Sequence, residues 1–309
     1  MLRYILKRIV FSVFVLIGVS IVIFSLIRLA PGDPIDYMVS EDASEAQRAL
    51  VREKYGLDHS AVEQYFIWLG NVMHGDLGDS YYYNMTNLKL IGSRLPNTAL
   101  LAFSAFILSL IVAIPLGLIA GIRKGSLVDV CAMFFALLGQ ALSPVWIGLV
   151  LMLFLGVRLG LLPVMGMGTL KHLIMPSITL GLPMSALVTR LLRSNMIEVL
   201  QEDYITATFA KGVRPLKVYF RYALKNAIMP VITVSGMQLA TYLGGAVTTE
   251  QIFSWPGIGT LTVQAINVRD YTLVQAIILV TSFILVFINL LVDILYTIVD
   301  PRLDFKEMG

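Results

Sequence analysis

The sequence has 309 residues, of which 57% are hydrophobic and only 14% are charged, and its mean hydropathy is +0.81. Soluble domains carry about a quarter of their residues as charged side chains, so this composition indicates an integral membrane protein and excludes an ordinary soluble domain. The formal net charge of +3 is too small to indicate nucleic-acid binding, and a single cysteine, Cys131, excludes an intrachain disulfide.

Six apolar stretches are long enough, or nearly long enough, to cross a bilayer, which takes roughly 20 helical residues. They are Ile9–Ile27, Leu100–Ile122, Cys131–Val157, Leu173–Val188, Met229–Val247 and Ala276–Val299. The first stretch is longer than the apolar core of a signal peptide, and no small-residue cleavage site follows it before Arg28, so we interpret it as an uncleaved helix. The sequence therefore predicts an all-α membrane protein with six transmembrane helices.

The distribution of basic residues predicts the orientation. Lysines and arginines cluster before the first stretch, at Arg123 and Lys124, and between the fourth and fifth stretches. Short basic segments of this kind stay in the cytoplasm, so both termini are predicted to be cytoplasmic in a bacterial inner membrane. The predicted units are an N-terminal helix at 1–30, an extracytoplasmic loop at 31–98, a five-helix core at 99–300 with a cytoplasmic loop at 190–228, and a cytoplasmic tail at 301–309.

The loop at 31–98 is rich in acidic residues and also holds aromatic residues, including Tyr81, Tyr82 and Tyr83. Aromatic residues are uncommon in disordered segments, so the loop is predicted to be folded. Two roles remain open for it: an element packed against the membrane face, or a contact surface for another protein.

Three of the predicted spans are interrupted. The interrupting residues are Gln140, Ser143 and Pro144 in the third, Pro176, Gly181 and Pro183 in the fourth, and Pro230, Gly236, Gly244 and Gly245 in the fifth. Breaks at membrane depth survive where the freed backbone groups face protein or a wet cavity, and in transporters they mark the transport path. One such break is more often an ordinary kink, but three together favour a pathway.

Polar side chains within the spans extend this candidate set. The possible pathway or gate residues are Gln140, Ser143, Pro144, Trp146, Gln238, Asn289 and Asp293. Asn289 and Asp293 are four residues apart and share one helix face. For Asp293, a bond between neighbouring helices is an equally good interpretation.

The segment between the fourth and fifth spans has a regular pattern. Asp203 suits the first turn of a helix that ends at Lys211 and Gly212, and Pro215 suits the first turn of a second helix. The small residues Ala207 and Ala210 leave room for another protein to approach closely. Binding of anionic lipid headgroups by the basic residues here is the simpler alternative.

No pattern for chemistry accompanies this architecture. The sequence has no GxxxxGK[ST] nucleotide loop and no GxSxG nucleophile elbow, and His59, His74 and His172 match no metal-ligand spacing. We therefore expect no catalytic residue, metal or cofactor in this chain.

Several motifs together resemble one family. "DYITATFAKG" followed by "RYALKNAIMP" resembles the coupling motif of bacterial ABC importer permeases, in the first-permease (B-type) branch for dipeptides, oligopeptides and nickel. The resemblance covers nearly the whole chain. It includes, in chain order, "RLAPGDP", "YGLD", "HGDLG", "RLPNT", "EQIFSWPGIG", "RDY" and "DPR".

The resemblance implies the type I importer (MetI-like) permease fold and assigns roles to residues. The ATPase-coupling set would be Asp203, Tyr204, Ala207, Ala210, Lys211, Gly212 and Pro215, within a coupling helix at Tyr204–Tyr219. Glu250 and Trp255 would lie in the segment on which a binding protein docks. The general motif has Glu, Ala and Pro where this chain has Thr206, Thr208 and Lys225, so a salt bridge from that glutamate is not expected here.

The resemblance also implies partners and a substrate class. A second homologous permease would complete the pore, two ABC ATPase subunits would use ATP and Mg²⁺, and an extracytoplasmic solute-binding protein would deliver the substrate. A di- or oligopeptide is the expected substrate, with nickel, a metal chelate, an opine or glutathione as alternatives. The rival from another class, an ion-gradient-driven secondary transporter, would place paired ionisable residues in the membrane, and Asp293 alone is a poor candidate.

Overall fold

The computed structural model describes residues 2–29, 44–46 and 59–299. Four predicted features lie wholly or mostly outside these ranges: the "YGLD" and "DPR" motifs, most of "RLAPGDP", and the tail at 301–309. The loop predicted at 31–98 can therefore be followed continuously only from His59 onward.

The described residues form helices and one short hairpin. The helices are α1 (Leu2–Leu29), α2 (Ala61–Met73), α3 (Asn87–Ile122), α4 (Leu127–Ala141), α5 (Pro144–Leu151, running on as a π-helical stretch, Met152–Arg158), α6 (Leu170–Leu200), α7 (Asp203–Ala210), α8 (Pro215–Lys217, running on as a π-helical stretch, Val218–Ala223), α9 (Leu224–Ala227), α10 (Met229–Leu243), α11 (Val247–Ile252), α12 (Ile258–Asn267) and α13 (Tyr271–Val299). Strands β1 (Asp79–Ser80) and β2 (Met85–Thr86) pair antiparallel.

Four of the described helices, α1, α3, α6 and α13, are long and apolar enough to cross a membrane. A fifth span is available if α4 and α5 count together, although they meet at an angle of 101°. The predicted span at Met229–Val247 is a helix of only 15 residues, about 22 Å long at 1.5 Å per residue. The sharp break predicted at Ser143 and Pro144 is confirmed, since Ser143 caps α5 and Pro144 is its first residue.

The fourth predicted span is longer and more regular than its sequence suggests. It forms a continuous helix to Leu200, so the break predicted around Pro176 and Pro183 is wrong. The helix also runs past residue 190, the predicted start of the cytoplasmic loop. Prolines persist inside membrane helices when neighbouring groups satisfy the backbone they free. In α6, the hydroxyl of Tyr242 donates to the carbonyl of Leu180, one turn before Pro183.

The central packing unit is the pair of helices α3 and α6. Gly117 and Gly121 of α3 face α6 so closely that a Cβ on Gly117 would lie 2.9 Å from the carbonyl oxygen of Thr189. These glycines form a Gly-x-x-x-Gly pattern, a signal of close helix contact in membranes that was not used in the sequence prediction. This close contact holds α3 and α6 together, and both helices contribute residues to the largest buried apolar cluster.

Helix α1 lies at the edge of the bundle and packs along α13. Arg8 forms an ion pair with Asp293 across this contact, with 3.0 Å between Nη1 and Oδ2. Nearer the other end of α1, Ser20 forms a hydrogen bond of 2.8 Å with the hydroxyl of Tyr65. The ion pair favours the interpretation of Asp293 as a bond between helices.

Candidate functional site

The segment from Asp203 to Ala227, hereafter the 203–227 segment, has the local structure that its sequence predicts. Asp203 lies in the first turn of α7, and Pro215 is the first residue of α8. Between them Gly212 has a φ of +73°, a left-handed conformation that residues with a Cβ rarely adopt. The segment is therefore two short helices joined at a glycine elbow, and not one helix over Tyr204–Tyr219.

One face of this segment is anchored in the protein core. Ile205, Val218, Ala223 and Ala227 are completely or almost completely buried, and they pack in one cluster with Met196 and other apolar residues of α3 and α6. Asn195 of α6 adds a hydrogen bond to the carbonyl of Ala227. Burial of these apolar side chains stabilises the contact between the segment and α6.

The opposite face is open. Of the seven predicted coupling residues, all are exposed on the chain surface: Asp203, Tyr204, Ala207, Ala210, Lys211, Gly212 and Pro215. The hydroxyl of Tyr204 accepts a hydrogen bond from Asn226, and the rings of Phe209 and Tyr219 meet edge to face. The structure thus offers a firmly held surface with small residues at its centre.

The predicted pathway residues fall into two groups. Gln140, Ser143, Pro144 and Trp146 surround the bend between α4 and α5, and all but Pro144 are exposed on this chain. Gln238 lies on α10, while Asn289 and Asp293 lie on α13, the helix packed against α10. Nothing in the structure assigns a pathway role to either group, which remains a prediction.

The predicted docking residues Glu250 and Trp255 are buried inside the chain, at 0% and 1% exposure. Side chains so enclosed make no direct contact with another protein in this conformation, and docking of a binding protein on the segment around them stays a prediction. They are enclosed because the loop after α11 folds back on α3. There the indole nitrogen of Trp255 donates to the carbonyl of Asn97, and the Asn97 amide donates to the carbonyl of Pro256.

Glu250 is the centre of a cluster of buried polar groups, which we call the Glu250 cluster. Its Oε1 accepts a 2.7 Å hydrogen bond from the Thr98 hydroxyl, and its Oε2 accepts a 2.9 Å bond from the Thr260 amide. The Thr98 hydroxyl in turn accepts from the Ile258 amide. Gly257 covers the carboxyl so closely that any Cβ there would overlap its oxygens. The motifs "RLPNT" and "EQIFSWPGIG" are therefore one structural unit.

Burial raises the pKa of Glu250, against the opposing effect of the hydrogen bonds from Thr98 and from the amides of Thr260 and Gly259. Loss of water around a carboxylate disfavours its charged form. Glu250 itself lies on α11, between α10 and α13 and outside the four long spanning helices, whereas its partner Thr98 lies on α3.

A second polar cluster was not predicted. Asp270 of the "RDY" motif accepts hydrogen bonds from Ser80 and from the amide of Tyr82, and so binds the β1–β2 hairpin that follows "HGDLG". The hydroxyl of Tyr83 lies 3.1 Å from the side-chain oxygen of Gln264. These bonds hold the end of the 31–98 loop on α12 and α13.

A third polar cluster, between α4 and α6, was also missed by the sequence prediction. Asp129 of α4 is almost fully buried and forms a two-pronged ion pair with Arg193 of α6, at 2.6 and 2.7 Å. The amide of Gly125 donates to the same carboxylate. The sequence holds a partial signal, because Ser126 and Asp129 have the spacing of a helix N-terminal cap, but no local pattern identifies the distant Arg193.

Comparison with known proteins gives two family matches. Residues 113–305 match the family "Binding-protein-dependent transport system inner membrane component", and residues 1–102 match its N-terminal companion family.

Relatives match over the full chain. The chain is 40% identical to the oligopeptide transport system permease protein AppB of Bacillus subtilis, over 99% of this chain and 100% of the relative. It is 34% identical to the dipeptide transport system permease protein DppB of Escherichia coli K12, over the same shares. Among solved structures, an inward-facing MetNI methionine ABC transporter chain aligns with a TM-score of 0.59 and 14% identity, covering 69% of this chain and 97% of that one. This last likeness supports the predicted permease fold.

Proposed function

The chain belongs to the family of binding-protein-dependent transport system inner membrane components, and we propose that it forms half of the translocation path of an ATP-driven importer of di- or oligopeptides. As a member of this family it is a multi-pass membrane permease. ATP would be hydrolysed by two separate ATPase subunits, a second permease would complete the pore, and a binding protein would deliver substrate. We place both termini in the cytoplasm, as the basic residues indicate.

The 203–227 segment is the observation that carries this proposal. Its buried face is fixed to α3 and α6, while the residues assigned to coupling lie together on its open face. An ATPase that grips Ala207 and the elbow at Gly212 would move α6, the most buried of the long helices. Rocking of such a packed unit around a midplane cavity is the general mechanism of alternating access.

The substrate assignment rests on the relatives. Two permeases that match this chain over their full length carry the names oligopeptide and dipeptide transport system. Nickel, metal chelates, opines and glutathione remain alternatives that no contact in the described residues favours.

Reconstitution in liposomes tests the function. The permease pair, the ATPases and the binding protein are expected to accumulate a labelled tripeptide only when ATP is supplied on the ATPase side. Omitting the ATPases should abolish uptake, and collapsing ion gradients with an ionophore should leave it unchanged. Uptake driven by an ion gradient without ATP would identify a secondary transporter instead, and uptake of nickel or glutathione with no peptide uptake would overturn the substrate class.

Replacing Gly212 by valine is expected to lower peptide uptake per ATP hydrolysed. The left-handed conformation costs a β-branched residue about 1–2 kcal/mol, although the space around Gly212 is open. The matched variant Gly212→Asn fits the same conformation more easily and should retain more uptake. Equal uptake per ATP in wild type and Gly212→Val would contradict the role of the elbow.

A further inference from the structure

Helix α2 exposes an apolar stripe that the proposed function does not use. Val62, Phe66 and Met73 are 66%, 64% and 79% exposed. Their spacing of four and seven residues places them on one face of the helix. Proteins seldom expose such a row of large apolar side chains to water, so we expect another molecule to cover the stripe.

The neighbouring face of α2 is firmly attached to α1. Tyr65 and Trp68 pack around Phe24, with ring centroids 5.2 and 5.7 Å from that of Phe24. Tyr65 also shares a hydrogen bond with Ser20. The start of α2 is closed by a capping box between Ser60 and Glu63. The orientation of the exposed stripe is therefore fixed relative to a membrane-spanning helix.

The attachment also fixes the depth of α2. The apolar span of α1 ends at Ser25, and Ser20 lies five residues before that end, about 8 Å along the helix axis. Amphipathic helices that lie in the plane of a membrane bury their apolar face about 5–10 Å into the boundary between headgroups and acyl chains. The hydrogen bond to Ser20 places the Tyr65 hydroxyl at about that depth.

The residues around α2 also fit a position at the membrane surface. Ile21 and Val22 of α1, at the level of the attachment, are exposed apolar residues on a helix long and apolar enough to cross a membrane. Tyr65 and Trp68 are of the aromatic types enriched where membrane meets water. The remaining side of α2 carries the exposed polar residues Glu63 and Asn71, with the exposed Ile67 between them. Exposed apolar side chains are therefore present on both helices near their contact.

We infer that α2 is an interfacial anchor that lies in the membrane surface with Val62, Phe66 and Met73 inserted among the lipids. It would hold the end of α1 and the loop that precedes α3 against the bilayer. This inference goes beyond the importer function and does not depend on the substrate.

Lipid quenching of a fluorophore tests the inference in the assembled transporter. In a Cys131→Ala background, Phe66→Cys, Met73→Cys and the polar-face control Asn71→Cys would each carry an NBD label, in nanodiscs of phosphatidylethanolamine and phosphatidylglycerol. Lipids with a spin label near the headgroup are expected to quench positions 66 and 73 several-fold more than position 71, and aqueous iodide should show the reverse order. Val62→Cys replaces either labelled variant that fails to assemble.

Two outcomes would overturn the inference. Iodide quenching of positions 66 and 73 as strong as that of position 71 would show that the stripe faces water. Protection of position 66 that arises only when the solute-binding protein is added would assign the stripe to that protein. Protection in nanodiscs without the binding protein supports the anchor.

Discussion

Replacing Glu250 by alanine is expected to destabilise the folded permease by about 3 kcal/mol, because it leaves buried donors without acceptors and opens a cavity. The Thr260 amide would lose its partner, and so would the Thr98 hydroxyl. Gly257 already lies against the carboxyl and offers no side chain to fill the space. Thermal unfolding of the purified complex, followed by the fluorescence of the buried Trp255, measures the effect.

The isosteric variant Glu250→Gln is expected to keep most of this stability. Its carbonyl can accept from the Thr260 amide while its NH₂ donates to the Thr98 hydroxyl, which serves as donor or acceptor. The two variants thus separate loss of the side chain from loss of its charge.

Stability should also depend on pH through this group. Burial raises the pKa of Glu250 in the folded protein, so folding favours the protonated form. Its stabilising contribution is complete below the ordinary pKa of glutamate and is lost as the pH rises through the higher folded-state pKa. Wild-type stability should therefore fall over that interval, and Glu250→Gln should lack this part of the fall. A wild type whose stability rises there, relative to Glu250→Gln, would contradict the assignment.

Two threonine variants separate the contribution of the Glu250 hydrogen bonds from the general effect of replacing threonine by valine. Thr98→Val removes a buried hydroxyl that bonds to both Glu250 and the Ile258 amide, and should cost about 1–3 kcal/mol. Thr262→Val removes a hydroxyl that bonds only within its own helix and should change stability little. Similar losses of unfolding free energy in the two variants would show that the hydrogen bonds around Glu250 add no particular stability.

The sequence was most informative where local rules decide the structure. The acid at Asp203, the elbow at Gly212 and the proline at Pro215 each have one dominant effect on neighbouring backbone, and the helices begin and end as predicted. The long apolar stretches likewise gave the helical membrane class. Each of these predictions needs only residues that are close in the chain.

Tertiary packing decided the cases in which the sequence prediction failed. Pro183 interrupts a helix in isolation, but the structure surrounds α6 with neighbours and continues it to Leu200. Glu250 lies on α11 and Trp255 in the loop that follows, and no local sequence pattern predicts that both side chains are buried. Their burial depends on Thr98 and Asn97, more than 150 residues away. The order of motifs along the chain does not reveal which of them are in contact in the folded protein.

Breaking the ion pair between Asp129 and Arg193 is expected to destabilise the protein by about 3–5 kcal/mol, the cost of leaving a buried charge without its partner. Both carboxylate oxygens are engaged, Oδ1 with Nε and Oδ2 with Nη2 of Arg193. Asp129→Asn and Arg193→Gln should each lose stability. The double variant should lose less than the sum of the two, since each single change already removes the interaction.

An exposed carboxylate on the same helix provides the control for the ion pair between Asp129 and Arg193. Glu198 lies farther along α6 with an exposed carboxylate, and Glu198→Gln should shift stability by less than about 0.5 kcal/mol. Additive losses in the double variant, or an equal loss in Glu198→Gln, would show that the ion pair has no special strength.

The position of the pair predicts a functional loss as well. Arg193 lies on α6 one turn before Met196, which packs in the cluster that anchors the 203–227 segment. Asp129 lies at the start of α4, the helix that leads to the bend at Ser143 and Pro144. Movement of α6 would therefore reach the bent helix pair through this contact. Arg193→Lys keeps the charge but loses the two-pronged geometry, so it should retain more stability than Arg193→Gln yet transport fewer peptides per ATP than wild type, as measured in the reconstituted importer.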